Sequence, residues 1–407
     1  MTTQPALKRT ITIPLLTLYG LGTIIGAGIY VLVGEVVGEA GLMAPFSFLL
    51  AAVIAAFTGF TYAELSSRFP RSAGEAYYSG QAFNSNLFSG VIGWSIVLIG
   101  VVSAATIVNG FVGYFHVFVD WPGWMVIIGL VLILAAVAAW GISESVWLAS
   151  IITVIEVSGL LFVVFSATQV DHQVALDYRD FIPMADGHIW YGIVMGAFLA
   201  FYAYIGFEDM VNVAEEVINP QKTLPLAIIL ALVFSVIIYI MVSIAAVTAV
   251  PVEQLDRSTA PLVDIVRRYD ENAVVLITLV SMIAVVNGAL IQMIMASRVI
   301  YGMADQRLAP LIFSRVNART QTPLLSTALV TLIVLTLALS FSLVTLAKIT
   351  SFITLLIFAA MHVSLLVIKR RAPAPGKTAV YPVWIPVTGL ILSLALAGFQ
   401  TWVSLVG

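Results

Sequence analysis

Cysteine is absent from the 407-residue chain, which excludes disulfides, thiolate metal sites and cysteine nucleophiles. Charge is scarce too. Asp, Glu, Lys and Arg together make up only 10% of residues, whereas a water-facing surface carries about 25–35%. The formal net charge is -3, and no basic patch marks a nucleic-acid interface. The four histidines are too dispersed for a metal site. No stretch between apolar runs exceeds roughly 20 residues, so a separate soluble domain has no room. No cofactor motif is present, nor a nucleophile-base constellation that would make this an enzyme embedded in a membrane.

Apolar residues dominate what remains, at 61% of the chain with a mean hydropathy of +1.07. Eleven apolar runs approach the length needed to cross a bilayer, at 11–33, 42–65, 87–115, 124–140, 146–167, 188–207, 224–250, 273–303, 324–341, 349–368 and 383–406. They predict an all-α polytopic membrane protein forming a single domain over 1–407, in contact with membrane lipid. Lys8 and Arg9 precede a first run that continues past signal-peptide length without a small-residue exit, so it reads as a retained anchor.

With the N-terminus in the cytoplasm, inner loops hold Lys8, Arg9, Arg68, Arg71, Lys222, Arg298, Arg307, Arg315, Arg319, Lys369, Arg370, Arg371 and Lys377. Outer loops then hold Arg179, Arg257, Arg267 and Arg268, with Lys348 at the outer end of segment ten. This positive-inside bias sets the orientation, and eleven crossings place Gly407 outside. The longest polar interval, 251–271, contains "APLVDIVRRY", whose helical spacing predicts an amphipathic helix along the surface.

Segment one carries "YGLGTIIGAGIYVLVG" over 19–34. Glycine costs about 1 kcal/mol relative to alanine in a helix interior, so five glycines in one run need a reason. Gly22 and Gly26, like Gly34 and Gly38, stand four apart, a spacing that lets neighbouring helices approach closely. The other reading is a break at Gly26-Ala27-Gly28, because unpaired backbone at membrane depth is tolerated where it lines a cavity. "FYAYIGFED" over 201–209 interrupts segment six in the same manner, with Gly206 followed by two acids. Segment six lies five after segment one. Two five-segment repeats, about 11–167 and about 188–368, would therefore run with opposite topology, followed by an extra helix at about 383–406; interrupted helices at matching positions mark inverted-repeat transporters.

These motifs, with "YAELSSRFPRSAGEAYY" (62–78), "AEEVINPQKTLP" (214–225) and "ASRVIYGMADQRLAP" (296–310), carry a family likeness. The chain resembles the amino acid, polyamine and organocation transporter superfamily, nearest to its bacterial and cationic-type amino acid permeases. The resemblance implies a five-plus-five inverted repeat that works by alternating access in a bacterial inner membrane. It places a substrate carboxylate at Ile25, Gly26, Ala27 and Gly28, and the ammonium at carbonyls of Tyr202, Ala203 and Ile205. A broken helix suits a zwitterion, since one half-helix start offers free N–H groups and another half-helix end offers free C=O groups.

Tyr202 is a candidate gate, or a packing tyrosine. Glu156, in "ITVIEVSGLL", stands where some proton-coupled relatives carry a lysine, roughly 12 Å into its run at about 1.5 Å per residue. An intramembrane carboxylate is a functional candidate, and it points to proton coupling. Sodium would want converging hydroxyl and carbonyl oxygens, yet the matching part of segment eight offers Ala284, Val285 and Val286.

Asn109 and Asn287 could touch substrate or bond neighbouring helices. Glu208 and Asp209 could act at an inner gate or cap the second half of segment six. His362 reads as a helix-packing residue. The expected function is secondary transport of amino acids or related amines, by proton symport or by uncoupled exchange; a potassium or other cation pathway on the same fold is the rival, with Glu156 and Glu208 as ion ligands.

Overall fold

The computed structural model describes residues 9–26, 28–71, 74–140, 146–170, 181–371, 376 and 378–406. Among these residues the chain is nearly all helical, and all eleven expected apolar runs are built from helix. Segment one is split into α1 (Ile13–Ile25) and α2 (Gly28–Ala40), and segment two is α3 (Ala44–Arg68). After a short connecting helix α4 (Gly74–Phe83) come α5 (Asn86–His116), α6 (Gly123–Trp140) and α7 (Val146–Thr168), which are segments three to five. Segment six is α8 (Gly187–Tyr202) continued, after an irregular turn, by a 3-10 helix at Phe207–Glu216. Segment seven is α9 (Pro220–Ala249). Short helices α10 (Val252–Asp256) and α11 (Pro261–Tyr269) lead to α12 (Val274–Asp305), α13 (Leu324–Ser340), α14 (Leu343–Arg371) and α15 (Trp384–Val406), segments eight to eleven.

Nine helical stretches among the described residues are long and apolar enough to cross a membrane; α1 and α13 are apolar but shorter. One of the nine, Gly28–Arg68, spans 41 residues, about twice what a single crossing needs. It turns back at Gly41, whose φ is +57°.

Packing partners repeat with an offset of five segments. The contact of α1 with α9 is matched by that of α8 with α3, and α1 on α7 by α8 on α14. Likewise α7 on α12 is matched by α14 on α5, and α6 on α12 by α13 on α5. The pairs α3–α9, α5–α12 and α6–α13 map onto themselves under the same offset. Such exchange is what two similarly folded halves produce when they interlock.

The interval 251–271 forms helices that lie along the surface of the protein, with Glu253, Gln254, Arg257 and Arg267 exposed and their apolar face turned inward. Leu255, Leu262, Ile265 and Val266 are fully buried. The segment packs into the protein over the end of α2, where a side chain at Gly34 would press against the Leu255 carbonyl and one at Gly38 against Asp256. An amphipathic face reads the same in sequence whether lipid or protein covers it.

At the opposite end of the broken helix, Ile11 pairs with Val217 as an isolated parallel bridge. The Thr10 and Ile11 amides donate to the Glu216 carbonyl at 2.9 and 3.1 Å, and the Ile218 amide donates to the Ile11 carbonyl at 2.9 Å. The start of segment one is thereby tied to the end of segment six.

Segment eleven is anchored on segments two and ten. The His362 ring meets Thr61 Oγ1 at 2.8 Å and Thr58 Oγ1 at 3.2 Å, and Gly389 of α15 leaves the space that this ring fills. His362 is the helix-packing residue its isolation suggested. Nearby, buried Glu64 accepts from Arg68 at 2.8 Å, from the Tyr381 amide at 2.9 Å and from Lys369 at 2.5 Å. A buried carboxylate held by two cations and an amide fixes the approach to α15.

Candidate functional site

Both interruptions lie side by side. In segment one α1 ends at Ile25, where the Gly26 amide donates back to the Gly22 carbonyl at 3.1 Å, and α2 restarts at Gly28. In segment six the chain leaves α8 at Tyr202 and turns through Gly206, whose φ of +126° is a conformation that side chains with a Cβ rarely adopt. A Cβ at Gly206 would also strike the Thr23 carbonyl. Gly28 plays the matching part across the interface, because a Cβ there would collide with the backbone of Ala203.

Side chains then tie the two breaks together. Thr23 Oγ1 lies 2.9 Å from the Gly20 carbonyl and 2.9 Å from the Gly206 carbonyl. Tyr239 of α9 places its hydroxyl 2.8 Å from the Ile24 carbonyl and 2.8 Å from the Ala203 carbonyl. One phenol therefore serves a carbonyl of each broken helix, and it stacks edge-on with Tyr204 at 5.1 Å.

A cavity of about 30 Å³ opens where the breaks meet α5 and α12. Of the residues that the resemblance assigns to substrate, Gly26, Gly28, Tyr202 and Ile205 line it. Ile25 and Ala203 are buried in the surrounding core and do not line the cavity. The Ala203 carbonyl already accepts from Tyr239, and the Tyr202 carbonyl accepts from the Ile205 amide at 3.2 Å. Ala27 lies outside the described residues. Asn287 is buried away from the cavity, and its neighbour Gly288 lines it instead. Asn109 donates to the carbonyls of Ala105 and Ala338, both at 3.2 Å, which is the helix-bonding alternative.

Besides Gly288, six lining residues were not among those predicted: Thr23, Ile24, Ser103, Ile107, Ile291 and Gln292. Ser103 Oγ lies 2.9 Å from the Tyr202 hydroxyl, so the candidate gate is tethered to segment three. Gln292 carried a signal, being polar in the middle of an apolar run.

Glu208 accepts from the Gly206 amide at 2.8 Å. It caps the second half of segment six, where a helix start favours an anion, and it also borders a second cavity beyond Ile205. Glu156 is fully buried on α7 and lines neither cavity. Its own carbonyl accepts from the Tyr30 hydroxyl at 2.8 Å, and one turn earlier Thr153 sits against Gly22 of α1. Segment five is thus in direct contact with both halves of segment one.

A sequence model of the amino acid permease family covers residues 14–407. The chain belongs to the amino acid permease family. It is 32% identical over 391 residues to a vacuolar cationic amino acid transporter 2 of Arabidopsis thaliana, covering 90% of this chain and 61% of that protein. It is 28% identical to a methylthioribose transporter of Bacillus subtilis (strain 168), over 98% of this chain and 91% of the other. A branched-chain amino acid permease from the same organism is also 28% identical, over 99% and 90%. The chain spans about 60% of the length of the cationic transporters it matches. These relatives are named as transporters or permeases.

Proposed function

We propose that this permease is a secondary active transporter of amino acids or related amines, driven by protons and working by alternating access between two five-segment repeats of opposite topology. The observation that carries the reading is the pair of facing breaks. The amides at the start of α2 have no partners within their own helix and suit a carboxylate, while Ile205, in the turn that leaves α8, lines the same cavity, and its carbonyl would suit an ammonium. The five-segment offset in packing supports the repeats. The distribution of lysine and arginine supports a cytoplasmic N-terminus in a bacterial cell membrane.

Names of the relatives span cationic amino acids, branched-chain amino acids and methylthioribose, so the family does not single out a substrate. A thermal-shift screen against amino acids and amines identifies it, because a ligand that binds only the folded chain raises its apparent stability.

Glu156 is the proposed proton carrier. Its position beside both halves of segment one lets a change in its charge bear on the broken helix, and a buried carboxylate gains or loses its proton as solvent reaches it. In proteoliposomes free of sodium, Glu156→Gln should still bind substrate and exchange it with preloaded substrate. Accumulation driven by an imposed pH gradient should disappear. Unchanged pH-driven accumulation by this variant would remove Glu156 from the coupling, and uptake by the parent only with sodium would overturn proton drive.

A further inference from the structure

Beyond Ile205 and Gln292, which border both spaces, a second cavity of about 80 Å³ runs from the breaks towards α4. This is the end of the molecule that carries the Ile11–Val217 bridge. Three carboxylates line the cavity: Glu75 from α4, and Glu208 and Asp209 from the second half of segment six. Among the described residues none of the three makes an ion pair. The remaining polar lining is Asn212, Gln292 and Thr354. Among the described residues no lysine or arginine borders the cavity.

A second, independent observation comes from segment ten. Thr354 is 1% exposed and lines this space, yet its hydroxyl has no hydrogen-bond partner. A buried hydroxyl usually finds one, so this one is free to bond a ligand. Glu75 itself is 6% exposed and accepts a single side-chain bond, from the Tyr62 hydroxyl at 2.9 Å. Glu75 is buried, and Glu208 and Asp209 are half-buried; carboxylates drawn out of water are costly unless they are neutralised or paired, and three around one small space make a mobile cation the natural partner. The shape of the space selects the kind of cation. Apolar walls from Ile96, Ile99, Ile357 and Phe358 suit a methylene chain, and the carboxylates and hydroxyl suit a terminal group with several N–H donors.

We propose that this cavity is a second binding station, occupied in transit by the ammonium or guanidinium end of a cationic amino acid or amine. The proposal rests on the reading of the breaks as the central substrate site, and adds a step on the path from that site to the α4 end. A substrate handed past Ile205 would exchange backbone partners for Glu75, Asp209 and Thr354, so a cationic substrate is held where a neutral one is not.

Agmatine separates the two claims, because it carries a guanidinium and an amine but no carboxylate for the first break to hold. Binding is measured on the purified full chain in sodium-free buffer, by calorimetry and by thermal shift. The parent should bind agmatine, Glu75→Gln should bind it at least tenfold more weakly, a difference of about 1.4 kcal/mol, and Thr354→Val severalfold more weakly. Glu75→Gln keeps the acceptor for Tyr62, so its unliganded melting temperature should stay near that of the parent and vouch for its fold. Absence of agmatine binding by the parent overturns the station, as does equal binding by parent and Glu75→Gln. Stabilisation by potassium chloride in place of agmatine overturns it in favour of an inorganic cation. Agmatine binding by a parent that binds no amino acid leaves the station standing and overturns the reading of the breaks.

Discussion

At the scale of single residues, the two glycines of the first break do different work. A Cβ at Gly26 would find the Gly22 carbonyl at 3.5 Å and the Gly288 Cα at 4.0 Å, ordinary contacts, whereas one at Gly28 would run into the Ala203 backbone. Gly28→Ala should therefore lower the melting temperature of the purified chain, by the about 1–3 kcal/mol typical of overpacking, and should weaken substrate binding because the breaks are pushed apart. A parental melting temperature for Gly28→Ala would contradict this geometry.

Gly26 and Gly28 were legible as glycines inside an apolar run, and Tyr202 and Ile205 through the resemblance carried by the segment-six motif. The sequence did not rank the faces of segments three and eight. Lipid and protein interior are both apolar, so apolar periodicity carries little information about which side of such a helix turns inward. Ser103 was hidden for that reason, and Asn287 was chosen where Gly288 faces the cavity.

At the scale of elements, the site depends on two interrupted helices staying in register, and α9 supplies the strap. Tyr239→Phe removes the proton shared between the Ile24 and Ala203 carbonyls while keeping the ring against Phe48 and Tyr204. Leaving buried acceptors unsatisfied costs about 1–3 kcal/mol. The variant should melt at a lower temperature than the parent and bind substrate more weakly, in calorimetry and thermal shift alike. Full parental affinity would show that the strap is dispensable. Nothing in the sequence announced this role, because a tyrosine in an apolar run reads equally well as packing. The interval 251–271 was half legible for a related reason: its helical spacing was readable, but the partner that covers its apolar face was not.

At the scale of the whole molecule, eleven apolar runs were legible from length alone, because a bilayer imposes a minimum on every crossing. How they pack was legible only through the matching interruptions in segments one and six. The structure adds the five-segment offset in packing, the tie between Ile11 and Val217, and the buried anchor of α15 at Glu64, Lys369 and His362. The account holds that substrate sits between the two breaks at the centre of this arrangement. An experimental structure of the full chain, saturated with the ligand that most stabilises it, tests that claim most directly. Ligand density within hydrogen-bond distance of the amides at the start of α2 and of the Ile205 carbonyl is the result expected. Density bound elsewhere, with the space between Gly26, Gly28, Tyr202 and Ile205 closed, would contradict it.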